Sequence, residues 1–294
     1  MAPSADLCAS ALKRMALPLL VREWRKRIRE APIKVPVANL YCGRGFQTAV
    51  QAADQFGAAI HVLSAGMGIV NICDAVPSYS LTVTRGSRDF ILKKVSESTS
   101  ATSYDWWSTL TGYNGTTSVS DVLDKNRTAL VLLGITSAYL SMIADELASL
   151  SERQLHRVRI IGPKYTDGLP EALQSLVMPY DKRLNGPDSD MRGTEFDFAQ
   201  RALASFIRLT HDDKSIASPA QHAKRVRLSL SQKRAPRKEK RKQVSDAMLR
   251  RHIGAIRKHV FSISAGLRTL RKQKKVACEQ NRFSRIWVQQ EASS

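Results

Sequence analysis

The chain has 294 residues, with 46 Lys and Arg against 26 Asp and Glu, a net charge of +20 and 43% hydrophobic residues. That length supports one large or two smaller domains with real cores, and the apolar fraction excludes wholesale disorder. The charge is uneven: residues 221–294 hold 21 Lys and Arg and 4 Asp and Glu, leaving 25 and 22 in the nearly balanced residues 1–220. A basic appendage on a near-neutral body points to a polyanionic partner, nucleic acid first and an anionic membrane surface second.

The longest apolar stretch, TALVLLGITSAYLSMI, is interrupted by Thr, Gly and Ser and falls short of a spanning helix. Near the N-terminus ALPLLV runs straight into REWRKRIRE with no small-residue cleavage site. No signal peptide is therefore expected, and the chain reads as cytoplasmic, without a membrane partner. Cys8, Cys42, Cys73 and Cys278 include no CxxC pair and the six histidines take no paired ligand spacing, so neither a disulfide frame nor a metal site is expected. No cofactor and no obligate protein partner are indicated.

From about Ala5 to Arg29 the chain reads as a helix offering Leu12, Met15, Leu19 and Trp24 to one face and a basic set to the other, a packing helix rather than a DNA contact. Pro32 and Pro36 close it. Four β-branched runs follow, KVPVANLY, AIHVLSA, ALVLLGI and RVRIIGP. Helix-like FQTAVQAADQFG comes after the first, SAYLSMIADELASL after the third, and a further stretch begins near Leu169. Apolar runs alternating with helices predict an α/β fold, a four-stranded and mostly parallel sheet between helices, with the ligand crevice beyond the carboxyl ends of the strands.

A polar stretch then leads to a helix on Phe196, Ala199, Leu203 and Phe206 or Ile207. Residues 210–244, which include KRVRLSLSQKRAPRKEKRK, read as a flexible basic linker, so the body spans 1–209. A second unit, 245–294, starts where Ser245 or Asp246 can cap a helix bearing Leu249, Ile253, Ile256 and Val260. After FSIS comes a second helix with Ile263, Leu267 and Leu270 inward, and CEQNRFSRIW adds Phe283, Ile286 and Trp287. Three short helices with a basic second one predict a small all-α unit resembling a helix-turn-helix. Arg250, Arg251, Lys258, Arg268, Arg271, Lys272, Lys274, Lys275 and Arg282 are its expected contacts to double-stranded DNA. The plainer alternative is a basic helical hairpin that grips phosphates only.

Candidate chemistry clusters after the first two runs. Tyr41-Cys42-Gly43-Arg44-Gly45 sets a glycine-flanked arginine at the start of a helix, a seat for a phosphate or a tight structural turn. Cys42 is read as a small filler rather than a nucleophile. Ser64-Ala65-Gly66-Met67-Gly68, followed by Asp74 and Tyr79, combines space, a carboxylate and an aromatic, as a pocket for a planar ring requires; a structural loop is equally open. Tyr104-Asp105-Trp106-Trp107 offers a carboxylate and aromatics, and on an extended chain one Trp would face away from the core and could stack on a base. Tyr180-Asp181-Lys182-Arg183 and Arg192-Gly193-Thr194 read first as solvated loops.

LYCGRGF together with LSAGMGIVNICDAVPSYSLTV resembles the peroxide-stress DNA-binding protein family, through Leu63, Ser64, Gly68, Val76, Tyr79 and Leu81. The likeness covers about 45 residues, and a usual Pro is missing near Ile72, with Ser78 at the place of another. That family is similar to the uracil-DNA glycosylase superfold, although neither the GQDPYH-type loop nor the histidine-bearing leucine loop of the uracil-excising enzymes is present. With a C-terminal DNA-binding unit, the resemblance extends to phage-defence DNA glycosylases that excise glucosylated hydroxymethylcytosine from phage DNA. It implies a carboxylate that stabilises an oxocarbenium-like transition state, Asp74 first with Asp105 and Asp181 as alternatives. Tyr79, Trp106 and Trp107 would stack on a flipped base, Arg44 with Gly43 and Gly45 would hold a phosphate, and Ser64 would bond the base or its sugar. Tyr41, Cys42, Met67 and Arg192 would line the site, and Gly66 and Gly68 would leave room for a bulky base. The alternative is a non-enzymatic DNA-binding regulator with a nucleotide-like ligand.

Overall fold

A computed structural model describes residues 3–96, 100–213, 215–237 and 241–291. The chain is a mixed α/β protein that divides into two compact units, 1–236 and 237–294.

In the larger unit, helix α1 (Leu17–Glu30) is followed by strand β1 (Val35–Pro36), α2 (Val37–Leu40), α3 (Arg44–Gln55), β2 (His61–Ser64), β3 (Gly68–Asn71) and β4 (Ala75–Val76). Then come α4 (Ser103–Thr111), α5 (Val119–Lys125), β5 (Val131–Gly134), α6 (Ser137–Ala148), α7 (Glu152–Leu155), β6 (Val158–Ile161), α8 (Glu171–Gln174), α9 (Phe198–Thr210) and α10 (Pro219–Ser231). The helix expected from Ala5 begins only at Leu17, since Pro18 suits a first helical turn and the preceding residues form two short 3-10 turns.

Among the described residues each ladder joins two strands, so the wider four-stranded parallel sheet is not what these ladders form. The last two expected strands do pair in parallel, Val131 with Val158 through Gly134 with Ile161. Leu176 and Met178 extend that layer, exchanging backbone hydrogen bonds with Ile160 at 2.9 and 2.8 Å. Its residues alternate between two cores. Val131, Leu133, Val158 and Ile160 meet Trp24, Trp106, Trp107 and Ile143, whereas Leu132 and Ile161 meet Ala202, Phe206 and Val226. The ladder is therefore a parallel layer covered on both faces.

The first two expected strands behave otherwise. Half of KVPVANLY coils into α2, and β1 pairs antiparallel with β4. AIHVLSA turns back on itself, β2 pairing antiparallel with β3 from His61 and Asn71 to Ser64 and Gly68. Only Ala65-Gly66-Met67 separates those strands, far too little chain for a parallel crossover, and Gly68 at φ +77° completes the turn.

The span expected as a linker, 210–244, carries α10, whose His222, Ala223, Val226 and Leu230 are buried against α9. Ser218 caps it by accepting the Gln221 N–H, and its periodic apolar residues complete the second core. The body therefore continues past 209.

The smaller unit holds β7 (Lys242–Gln243), α11 (Asp246–Arg257), α12 (Ile263–Lys272), β8 (Val276–Ala277) and α13 (Gln280–Glu291). Leu249, Ile253, Ile256, Leu267, Leu270, Phe283, Ile286 and Trp287 form its core. Ser245 caps α11 and Ser262 caps α12, and β7 pairs in parallel with β8. No helix among the described residues is long and apolar enough to cross a membrane.

Candidate functional site

The hairpin β2–β3 and the segments that close over it bring several singled-out residues together. Ser64 is 2% exposed, and its Oγ accepts the Met67 N–H at 2.9 Å and the Gly66 N–H at 3.2 Å. Tyr79 Oη lies 2.5 Å from Ser64 Oγ and 3.3 Å from Tyr41 Oη. Burial pushes the Tyr79 phenol well up and the Tyr41 phenol up, so both are neutral hydroxyls at ordinary pH. Tyr41 stacks in a tilted arrangement on Phe46, with ring centres 5.5 Å apart, and is partly exposed beside exposed Cys42, Gly43 and Arg44.

The glycines of this loop serve packing. A Cβ on Gly66 would stand 2.8 Å from Tyr79 Cε2 and 3.1 Å from Trp24 Nε1, and the Gly66 carbonyl accepts the Trp24 indole N–H at 2.8 Å. A Cβ on Gly68 would meet Thr116 Cγ2 at 2.5 Å. The space expected for a bulky base at these positions is thus filled by Trp24, Tyr79 and Thr116.

The three candidate carboxylates are separate and each closes a local motif. Asp74 is exposed on the turn between β3 and β4, where it accepts the Asn71 N–H at 2.7 Å, while its own carbonyl accepts the Val37 N–H. Asp105 forms the capping box of α4 with Thr102. Burial raises the exposed Asp181 carboxyl, but hydrogen bonds from Arg183 outweigh it and lower the group overall. The Asp74 carbonyl is joined to Val37, the first residue of α2, and α2 ends just before Tyr41.

Trp106 and Trp107 are core residues and leave no face for a base. Their stretch is helix α4, so both point inward, 0% and 1% exposed. Their indole N–H groups donate to the Ala65 carbonyl at 2.7 Å and to Glu146 Oε2 at 2.6 Å. Arg192 is exposed and donates to the Ser189 carbonyl.

Two polar networks escaped the sequence reading. Arg44 donates to Asp197 Oδ2 at 2.7 Å, and the same buried carboxylate accepts from Arg201 and from Thr194. Burial by itself would raise Asp197; the Thr194, Arg201 and Arg44 hydrogen bonds prevail and lower it to about 2. Arg44 therefore ties α3 to the segment before α9, and a Cβ on Gly45 would press on Asp197 at 3.2 Å. Thr194 and Asp197, spaced as a capping box, were the available signal. The second network joins Arg159, His222, Asp213 and Arg225: Arg159 Nε–H donates to His222 Nδ1 at 2.8 Å, His222 Nε2 lies 3.2 Å from Asp213 Oδ2, and Arg225 donates to both Asp213 oxygens.

In the smaller unit Arg250, Arg251, Lys258, Arg268, Lys272, Lys274 and Lys275 are exposed. Arg282 is held by Asp246 Oδ1 at 2.6 Å and by the Val244 carbonyl, and Arg271 by the Cys278 carbonyl at 2.7 Å. These two staple the three helices together. With Arg241 they also line a cavity of about 430 Å³. A cavity of about 400 Å³ in the body lies between Val83, Phe90, Leu92 and Ala101, and Tyr41, Ser64 and Tyr79 are not among its lining residues. All four cysteines are free, and among the described residues no three His, Cys, Asp or Glu side chains gather in a way that could hold a metal ion. No family model matches this chain, and neither a curated protein nor a solved structure was found to match it.

Proposed function

We propose that the chain binds double-stranded DNA through its C-terminal three-helix unit and acts on that DNA, as a DNA glycosylase, through its α/β body. The observation that carries the binding half is the division of side chains in residues 237–294. Apolar residues fill one core while seven of the singled-out cations stay exposed, in a stretch with 16 Lys and Arg against 4 Asp and Glu. Arg268 and Lys272 fall one turn apart on α12, on the side away from Leu267 and Leu270. Such a face suits phosphates, with most of the affinity and its salt dependence coming from them.

The body's part rests on the Tyr41–Tyr79–Ser64 cluster, on Asp74, whose carbonyl accepts the N–H of Val37 at the head of the short helix leading to Tyr41, and on the resemblance of these loops to a glycosylase-like superfold. The parallel β5–β6 layer with helices on both faces supports the same reading. Base excision builds positive charge on the deoxyribose, which Asp74 would stabilise once a nucleotide is flipped out of the stack. The base implied is glucosylated hydroxymethylcytosine in phage DNA, and the role antiviral defence inside the cell. Incubating such DNA with the protein should yield abasic sites that unmodified DNA does not, and Asp74→Asn should lower the yield about a hundredfold.

The second reading, a non-enzymatic DNA-binding regulator, is favoured by the carboxylates: Asp74, Asp105 and Asp181 each already accept hydrogen bonds within their own turn or cap. Duplex binding without any abasic product would select it.

A further inference from the structure

The polarity of the hydroxyl cluster is set at its inner end. A serine hydroxyl offers two lone pairs and one proton. At Ser64 both lone pairs are taken by backbone donors, the Gly66 and Met67 N–H groups at 3.2 and 2.9 Å. The Ser64 proton is left for its remaining neighbour, Tyr79 Oη, at 2.5 Å. Tyr79, having accepted, turns its own proton to Tyr41 Oη at 3.3 Å. Tyr41 then accepts in its turn, and among the described residues its hydroxyl has no further hydrogen-bond partner. The phenol acidities agree with this direction: the Ser64 bond favours the Tyr79 phenolate, and the Tyr79 bond favours that of Tyr41, against the larger opposing effect of burial. Hydrogen bonds aligned in one sense polarise one another, which makes the terminal proton a better donor.

We propose that Tyr41 is the specificity-determining donor of the body's site, its hydroxyl proton aimed by Ser64 and Tyr79 at an acceptor oxygen of a bound nucleotide. Ser64 and Tyr79 are positioning residues. The assignment rests on the reading that the body handles a nucleotide, and it adds the direction of the hydrogen bond. A ring carbonyl or a phosphate oxygen satisfies such a donor, whereas an exocyclic amine does not. Tyr41 is suited to the task because it is the partly exposed end of the array, next to the exposed turn Cys42-Gly43-Arg44.

The polarity can be read without any ligand. In the full chain carrying 3-fluorotyrosine, fluorine NMR follows each phenol through its titration, and the fluorine brings ionisation to lower pH. Tyr79→Phe keeps the ring but removes the donor to Tyr41, so the Tyr41 phenol should titrate about one pH unit higher. Ser64→Ala should move the Tyr79 phenol the same way. A fall at Tyr41 in Tyr79→Phe would mean that Tyr41 donates inward, and would overturn the proposal.

Two probes then test the ligand. Deoxycytidine carries a ring carbonyl and no phosphate, and inorganic phosphate carries no base. We expect deoxycytidine to shift the Tyr41 resonance and to bind at least tenfold more weakly to Tyr41→Phe. A shift with phosphate alone would keep the donor and assign it to the DNA backbone. If neither probe moves Tyr41 while the chain still binds duplex DNA in a gel-shift assay, the donor assignment fails by itself. Absence of duplex binding would instead defeat the wider functional reading, with the polarity still decided by the titration.

Discussion

Arg159 enters the interior through the period of its strand: Val158 and Ile160 face the first core, so Arg159 must face the second, where it is 0% exposed. Burial lowers its guanidinium to about 10, and His222 accepts its Nε–H. That bond fixes the imidazole as the neutral tautomer with its proton on Nε2, directed at Asp213. Burial lowers His222 below its ordinary 6.5, more than Asp213 raises it. The folded state therefore binds this proton less readily than the unfolded chain, and its contribution to stability is present above about 6.5 and is lost as pH falls through the lowered value. Asp213, raised by burial but lowered further by Arg225 and His222, adds a loss of the same sign at lower pH. Denaturant melts across acidic pH should show stability dropping below about pH 6.5, and His222→Gln should flatten that first part of the curve. A charged residue inside an apolar strand was visible in RVRII, but its partner, 63 positions along the chain, was not. Trp106 and Trp107 show the reverse limit, since their direction depended on whether their stretch was extended or helical.

Among the elements, the β2–β3 hairpin carries the most consequence. Its turn leaves no room at Gly66, where a Cβ would enter the contact between Tyr79 and Trp24. Gly66→Ala should cost about 1–3 kcal/mol of unfolding free energy, because both neighbours are large rings held in place. Gly43, at the N-cap of α3 with φ −66°, has open space around it, so Gly43→Ala should change stability by no more than about 0.5 kcal/mol. Chemical denaturation of the two variants gives the comparison directly. The hairpin was legible in principle: two apolar runs separated by Ala65-Gly66-Met67 cannot be parallel neighbours. Helices α3, α6, α11, α12 and α13 followed from apolar periodicity and caps, because those signals are local. Helix α10 was hidden under its charge, since Arg225, Arg227 and Lys224 lie between the residues it buries.

For the whole molecule, the end of the body decides where the chain can be cut. Ending it at residue 220 would remove Val226 and Leu230 from the second core and leave Arg159 without His222. Such a truncation should lose cooperative unfolding or melt well below the full chain. Ending it at 236 keeps α10 and should leave the body's thermal transition in place. The second truncation should also weaken duplex binding and flatten its dependence on salt, since the exposed cations of α11 and α12 are gone.

Composition and periodicity were enough to assign an α/β body, three C-terminal helices and a charge gathered at one end, because each is set by neighbours a few residues apart. Strand direction at the hairpin was settled by a turn, and the membership of α10 by a core contributed from distant segments. The fate of the candidate site was also tertiary. Tyr41, Ser64 and Tyr79 meet only because β1 pairs with β4 and the hairpin folds beneath them. The same packing draws Trp106 and Trp107 inward and fills the space above Gly66, since burying large aromatic surfaces outweighs leaving them free to stack on a ligand.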